Sequence, residues 1–325
     1  MDLLAELRKA CSERPRKIVL PEGEDPRILE AAARVQRERL ANPIVIGNLE
    51  RVRSNAGNLP EGITFVDPWE DSRIDTYVEE YFAMRGKHVV DRKIVLRVLS
   101  KCLHFGSMMV RMGDADGVVA GARNLTSSVI KAGKLFIGLR NGITSPSSFF
   151  IMDVPGHGQL VFADCAVNPD PGPELLAQIA VSSASSAREI LGTEPRVAML
   201  SFSTRGSADH PSVRKVAKAT EIARGIDPTL LIDGEMQADT ALVPEIAERK
   251  RAADVLGGMA NVLVFPDLDS GNIAYKLVQH LAGAKAYGPF MQGFNSPIND
   301  LSRGCSVDEI VGAILVTSVQ AGRSR

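Results

Sequence analysis

Cysteine is scarce and scattered in this chain. The four residues, Cys11, Cys102, Cys165 and Cys305, lie far apart in a sequence of 325. No CxxC pair and no Cys/His cluster appears, so a structural zinc site is not expected. Such usage fits a reducing, cytoplasmic location. Long apolar runs are also missing, the longest being strand-sized, so no segment is expected to span a bilayer. The N-terminus, Met1 to Lys17, carries acids and no extended apolar core, and does not read as a signal peptide. Charge of one sign is not in excess. Lys and Arg total 38 against 39 Asp and Glu, a formal net charge of -1. That balance argues against a general nucleic-acid or membrane-surface binder, so any anion site must be a local group of Lys and Arg. There is no internal repeat, no low-complexity tract and no GxxxxGK[ST] phosphate loop. The histidines, His88, His104, His157, His210 and His280, form no readable triad. Asp267 and Asp269 lack a clear third ligand for magnesium, so turn or cap roles suit them better.

What is present is ordinary globular composition, 45% apolar and 24% charged, enough for one large or two medium domains. Short β-branched runs alternate with longer helical patterns. Lys17-Ile-Val-Leu20 reads as a buried strand, Asp25 as a helix N-cap, and Pro26 as the first helical residue. Pro43-Ile-Val-Ile46 is the next strand, completing a βαβ unit and predicting a parallel sheet. Strands are also expected at 116–120, 196–200, 230–233 and 261–265. Helices are expected around 70–83, 126–139, 172–191, 211–225, 239–250, 271–282 and 307–320. A β-hairpin interrupts the rhythm, with 149–154 and 160–163 joined by Pro155-Gly-His-Gly158. The fold class is therefore α/β, with two domains of mainly parallel sheet flanked by helices. Candidate crossings near 140–146 and 292–297 divide the chain into 1–141 plus 294–325 and 142–293. The C-terminal helix then returns to the first domain and leaves a cleft between lobes, a common ligand site.

Three loops could carry chemistry. Asn299-Asp-Leu-Ser-Arg-Gly-Cys-Ser306 joins a hydroxyl, a guanidinium and a glycine at a helix N-terminus, which suits an anion. Arg303 has the fork to grip phosphate, and Ser302 can donate to an oxyanion. The same residues also run into Ser306-Val-Asp-Glu309, a capping box, and residues alone leave site and cap evenly matched. Ser201 to Ser207, with Ser203 and Thr204, follows a strand and precedes a helix, a setting that often holds phosphate. An ordinary polar turn explains it as well. Gly121 to Ser128, with Asn124 and Ser128 and with Lys131 and Lys134 beyond, suits a phosphate nest. On spacing alone a capped helix with solvated lysines is the better account. Arg27 and Arg85 are single cations near helix ends, where a salt bridge or plain solvation suffices. Cys165 and Cys305 read as small buried hydrophobes.

Several of these segments occur together in one known family. Lys17 to Asp25, Gly113-Asp-Ala-Asp-Gly117, Phe162 to Pro169, Arg196 to Thr204 and Leu231-Ile-Asp-Gly-Glu235 resemble phosphate acetyltransferases. So do Asn261 to Asp267, Gly271-Asn-Ile-Ala-Tyr-Lys276 and Asn299 to Ser306. The matches run nearly end to end and in order. The sequence is similar to the short form of the phosphate acetyl/butyryltransferase family, without an extra N-terminal regulatory domain. The stretch from Leu125 to Leu139 is closer to the kind found in ethanolamine-utilisation systems.

The resemblance implies two α/β domains, a homodimer, and acetyl transfer between coenzyme A (CoA) and phosphate without a metal. CoA or acetyl-CoA and phosphate or acetyl phosphate are the implied ligands, with CoA a substrate and not a cofactor. Carried across by position, Ser302 stabilises the transition state, Arg303 and Arg85 bind phosphate, and Arg27 helps bind CoA or phosphate. Asn124, Ser128, Lys131, Ser203 and Thr204 join them as substrate-binding candidates. Three positions depart from the family. Its thiol-deprotonating Asp is Glu309 here, one methylene longer. A family Arg is Lys131, a point charge in place of a fork, and a family His is Asn124. A butyryl or other short-chain transferase, and a non-catalytic acyl-CoA sensor, are the alternatives. A metal- and nicotinamide-dependent decarboxylating dehydrogenase of related fold would need a carboxylate cluster that the sequence does not show.

Overall fold

The structure is a computed structural model, and it describes residues 3–56, 61–85 and 91–323; His88 lies outside them. The chain divides into two compact units, residues 2–139 with 294–325, and residues 140–293. Both are α/β.

The first lobe runs α1 (Leu3–Glu13), β1 (Arg16–Leu20), α2 (Pro26–Arg37), β2 (Ala41–Ile46), α3 (Leu49–Ala56), β3 (Thr64–Val66) and α4 (Ile74–Arg85). It continues through α5 (Arg92–Leu99), α6 (Cys102–Met112), β4 (Gly117–Ala120) and α7 (Thr126–Ala132), and is completed by β11 (Ile298–Asp300) and α13 (Val307–Arg323). Its described strands lie in the order β11-β4-β1-β2-β3, all parallel. Ile18, Val19 and Leu20 of β1 and Val118, Val119 and Ala120 of β4 are fully buried. Continuous apolar strands are what a parallel sheet covered on both faces requires, and each buried Val, Leu or Ile side chain there contributes about 1.5–3 kcal/mol. From β1 the chain moves outward on one side to β2 and β3, then returns to β4 on the other side of β1. The reversal leaves a crevice at the carboxyl ends of β1 and β4, where open α/β sheets bind ligands.

The second lobe contains β5 (Ser147–Val154), β6 (Gly158–Ala163), α8 (Pro173–Leu191), β7 (Arg196–Leu200), α9 (Pro211–Ile226) and β8 (Leu231–Met236). It goes on through α10 (Ala238–Leu242), α11 (Pro244–Arg249), β9 (Val262–Val264), α12 (Leu268–Leu281) and β10 (Lys285–Gln292). The strand order is β10-β5-β6-β9-β7-β8. The expected hairpin is β5–β6, paired antiparallel; β10 also runs antiparallel to β5, and the remaining pairs are parallel. Phe150, Met152, Leu160, Phe162, Leu263 and Phe265 build one face of its core.

Eight strands and most helices lie where periodicity placed them, while β3, β10 and β11 were not expected from the sequence. Asp25 caps α2, its side chain accepting from the Arg27 N–H, with Pro26 in the first turn. The helix expected over 126–139 instead ends at Ala132 and continues as one π-helical turn, Gly133–Ile137. Gly133 there meets the Phe294 ring so closely that a Cβ would stand 2.7 Å from it. The helix expected over 239–250 is two. Pro244 forces the residue before it out of the helical region, and Val243 is extended at φ -125, ψ 109. Among the described residues no helix is long and apolar enough to cross a membrane.

Candidate functional site

Three loops leave the adjacent carboxyl ends of β1, β4 and β11, and one buried carboxylate joins the first two. Glu22, just past β1, accepts from the backbone N–H groups of Gly121 (3.1 Å), Ala122 (2.9 Å), Arg123 (2.9 Å) and Asn124 (2.7 Å). It also accepts from the Asn124 side-chain amide at 2.8 Å. Successive N–H groups wrapped round one anion form a nest, here filled by the protein's own side chain. Gly121 makes the wrap possible. Its φ is +120, and a Cβ there would fall on the Asp300 carboxyl and the Leu301 backbone.

Asp300 ends β11. Its Oδ2 accepts from Thr126 Oγ1 at 2.5 Å, while Oδ1 is buried without a partner among the described residues. Burial, with Glu22 nearby, outweighs that bond and pushes its pKa up to about 6. The following turn carries the candidate anion site. Ser302 Oγ accepts from the Gly304 N–H at 3.3 Å, and the Cys305 N–H closes the turn onto the Ser302 carbonyl at 3.0 Å. Arg303 is exposed, and its guanidinium meets no hydrogen-bond or ion-pair partner among the described residues. The capping box that starts α13 is formed. Glu309 Oε2 accepts from the Ser306 N–H (2.7 Å) and hydroxyl (3.0 Å), and the Glu309 N–H donates back to Ser306 Oγ (3.2 Å). The cap uses one Glu309 oxygen, and the other stays outside it.

Arg27 reaches from the first turn of α2 to this turn. Its guanidinium forks onto Asp25 (Nε 3.0 Å, Nη2 2.8 Å) and donates to the carbonyls of Arg303 (2.9 Å), Cys305 (2.8 Å) and Ala122 (3.3 Å). The hydrogen bonds and positive charge of Arg27 hold the Asp25 carboxyl below its usual range. The residue expected to meet CoA or phosphate is thus engaged with protein.

The same lobe holds a cleft of about 530 Å³, lined among others by Glu22, Lys101, Cys102, His104, Asn124 and Ser128. Burial lowers the His104 pKa, and its Nδ1 lies 2.9 Å from the Val98 carbonyl. Lys131 is exposed on α7, and Arg85 is exposed at the last residue of α4.

The comparisons with known proteins bear on this arrangement. Residues 2–318 match the model of the family described as phosphate acetyl/butaryl transferase. The chain belongs to that family. A phosphate acetyltransferase of Thermoanaerobacterium thermosaccharolyticum is 45% identical over 327 residues, covering 99% of this chain and all of the relative. Two solved structures, the EutD phosphotransacetylase of Staphylococcus aureus and a phosphotransacetylase of Streptococcus pyogenes, are each 41% identical. They superpose with TM-scores of 0.92 and 0.93, each covering 98% of both chains.

Within this family member, Ser302, Arg303, Glu309, Asn124 and Arg27 gather at the ends of β1, β4 and β11, and Ser128 joins Asn124 at the cleft. The second-lobe candidates face inward. Ser203 is fully buried and donates to Glu235 Oε1 at 2.8 Å, and Thr204 Oγ1 accepts from the Gln237 N–H at 3.1 Å. Both hydroxyls hold their own loop, while Phe202, Arg205, Gly206 and Ser207 are its exposed residues. Burial raises the Cys165 and Cys305 thiol pKa values, consistent with their expected inertness. Asp267 caps α12, accepting from the Ser270 N–H. Glu22 and Asp300 were missed by motif reading. Glu22 stood in view within Pro21-Glu-Gly-Glu-Asp25, but its role depends on a loop a hundred residues away.

Proposed function

We propose that this chain is a phosphate acetyltransferase that moves an acetyl group reversibly between CoA and inorganic phosphate in a ternary complex. The exposed Arg303 guanidinium, unpaired among the described residues, carries this reading. It stands beside the Ser302 hydroxyl at the head of α13, where the helix dipole adds positive potential. An Arg left without a carboxylate partner while its neighbour Arg27 is fully engaged is available to a phosphate or acyl phosphate.

In the direction of thioester synthesis, the CoA thiol gives its proton to the Glu309 oxygen that lies outside the cap. The sulfur electron pair then attacks the acetyl carbonyl carbon. A C–S bond forms, the C–O bond to phosphate breaks, and phosphate leaves with the electron pair. The thiol ionises near pH ~8.5 unaided, so a base assists at neutral pH. Ser302 donates to the carbonyl oxygen as it becomes an oxyanion, an effect often worth ~3 kcal/mol per donor. Arg303, with Arg85 and Lys131, neutralises the phosphate, and Asn124 and Ser128 line the side toward CoA. CoA enters as a substrate and no other cofactor is called for.

The protein works in the cytoplasm as a homodimer in this account. Ile273, Leu277 and Leu281 recur at helical spacing on α12 and are 56%, 52% and 81% exposed, an apolar stripe that a second copy would cover. Thioester formation from CoA and acyl phosphates of increasing chain length, without added metal, tests the activity. Fastest turnover of acetyl phosphate supports the reading. Preference for butyryl phosphate replaces it with the longer-chain activity, and CoA binding without turnover replaces it with a sensor.

A further inference from the structure

Arg27 sits between two peptide groups whose far sides hold the proposed reacting side chains. A guanidinium carries five N–H donors. In Arg27 they serve five oxygen contacts: two to Asp25 and one each to the carbonyls of Ala122, Arg303 and Cys305. Asp25 is itself fixed as the N-cap of α2, accepting from the Arg27 N–H at 3.0 Å. The guanidinium is therefore held at both ends, on a helix start and on a turn.

In a trans peptide the carbonyl and the N–H point in opposite directions. The peptide whose carbonyl is that of Arg303 has the Gly304 N–H on its other side, and this N–H holds Ser302 Oγ. The peptide whose carbonyl is that of Cys305 has the Ser306 N–H on its other side, and this N–H holds Glu309 Oε2. One side chain thus orients both planes. The first sets the Ser302 hydroxyl, the second sets the Glu309 carboxylate, and Arg303 lies between them. The contact with the Ala122 carbonyl ties the same unit to the loop that Glu22 wraps.

We propose that Arg27 is a positioning residue of the acyl transfer, fixing Ser302, Arg303 and Glu309 relative to the loop after β4 while touching neither phosphate nor CoA. This rests on the acetyltransferase reading above for what the positioned groups do. A displaced reacting group commonly lowers turnover by as much as ~10²-fold, even when the substitution is remote.

The test is kinetic and structural, on the full-length protein. Arg27→Gln and Arg27→Lys are expected to lower kcat about tenfold to a hundredfold. KM for CoA and for acetyl phosphate should stay within about threefold, because no ligand contact is removed. The double variant Arg27→Gln/Arg303→Gln should be little slower than Arg303→Gln alone, since both act through one turn. A tenfold rise in either KM with kcat retained, or fully multiplicative losses in the double variant, overturns the proposal. Hydrogen exchange over residues 301–306 gives a readout independent of turnover. Arg27→Gln should raise it about tenfold or more, with the circular dichroism of the fold retained. Unchanged exchange overturns the clamp. Absence of thioester synthesis by the wild-type protein refutes the acetyltransferase reading instead, and the exchange result still decides the clamp. Where Arg27→Gln does not fold, Arg27→Lys keeps the charge and decides by the same measurements.

Discussion

Replacing Glu22 with Gln is the sharpest probe of how the candidate site is held. Glu22 Oε1 accepts from the Arg123 and Asn124 N–H groups and from the Asn124 side chain, while Oε2 accepts from Ala122 and Gly121. Gln keeps one acceptor and turns the other position into a donor. In the favourable orientation its oxygen keeps the Oε1 partners and its NH2 group faces the Ala122 and Gly121 N–H groups. Leaving the buried Ala122 N–H unpaired costs about 1–3 kcal/mol, and the remaining bonds lose the roughly twofold strength of a charged acceptor. A total near 3 kcal/mol follows for opening the 121–124 loop, a factor of roughly 10² in its equilibrium. Native-state hydrogen exchange of the four loop amides measures this locally. That local readout suits a chain of two compact units, whose global unfolding need not be two-state. Exchange should quicken about a hundredfold at 121–124 and stay unchanged in β7 and β8. Exchange at 121–124 within about threefold of wild type would show that Glu22 does not organise this loop.

The remaining predictions concern charge, cap and surface. Asp300 holds its proton more tightly in the fold than in the unfolded chain. The stability it contributes is complete below its ordinary pKa of 3.8 and is lost as pH rises through about 6. That loss is at most about 3 kcal/mol, so denaturant titrations of Asp300→Asn should show a much flatter decline between pH 4 and 7; an unchanged slope rejects a buried, titrating Asp300. Glu309→Gln keeps an oxygen for the Ser306 N–H but cannot accept the thiol proton. It should retain the melting temperature while kcat falls about 10²-fold or more, and full activity with an unaltered pH–rate profile would make Glu309 a cap alone. Leu277→Glu, at the centre of the exposed α12 stripe, should shift the mass measured by light scattering toward one chain; an unaltered mass would place any subunit contact elsewhere.

The order of strands and helices was largely readable because both periods are strong here. Ile18 to Leu20 and Val118 to Ala120 are continuous apolar runs, as parallel strands buried on both faces must be. The α6 helix was not readable. Phe105, Ser107, Met108, Met109 and Val110 are all buried around Gly106, whose missing Cβ admits Val19, so no polar stripe marks its period. The site was half legible. The Ser302–Arg303 turn and the Ser306–Glu309 cap are local, and sequence spacing exposes them. The cap expected at Ser306–Glu309 is formed and takes one Glu309 oxygen, while the Arg303 guanidinium has no partner among the described residues. Arg27, Glu22 and Asp300 act across sequence separations of 95 to 276 positions. Sequence gives such residues a type but not a partner. The inward Ser203 and Thr204 show the same limit, since nothing local reveals that Glu235 and Gln237 take their hydroxyls.

The proposed transfer depends on the Arg303 guanidinium at the head of α13, which has no partner among the described residues. The direct measurement is thioester formation from CoA and acetyl phosphate by the wild-type protein and by Arg303→Gln, with circular dichroism confirming that both are folded. The Arg303 side chain makes no hydrogen bond or ion pair with the described residues that the variant would break, so the melting temperature should be unchanged. Turnover should fall about 10²-fold or more, because a charge-assisted contact to the transferring phosphate is lost. Equal turnover by the two proteins, or none by the wild type, would contradict the account.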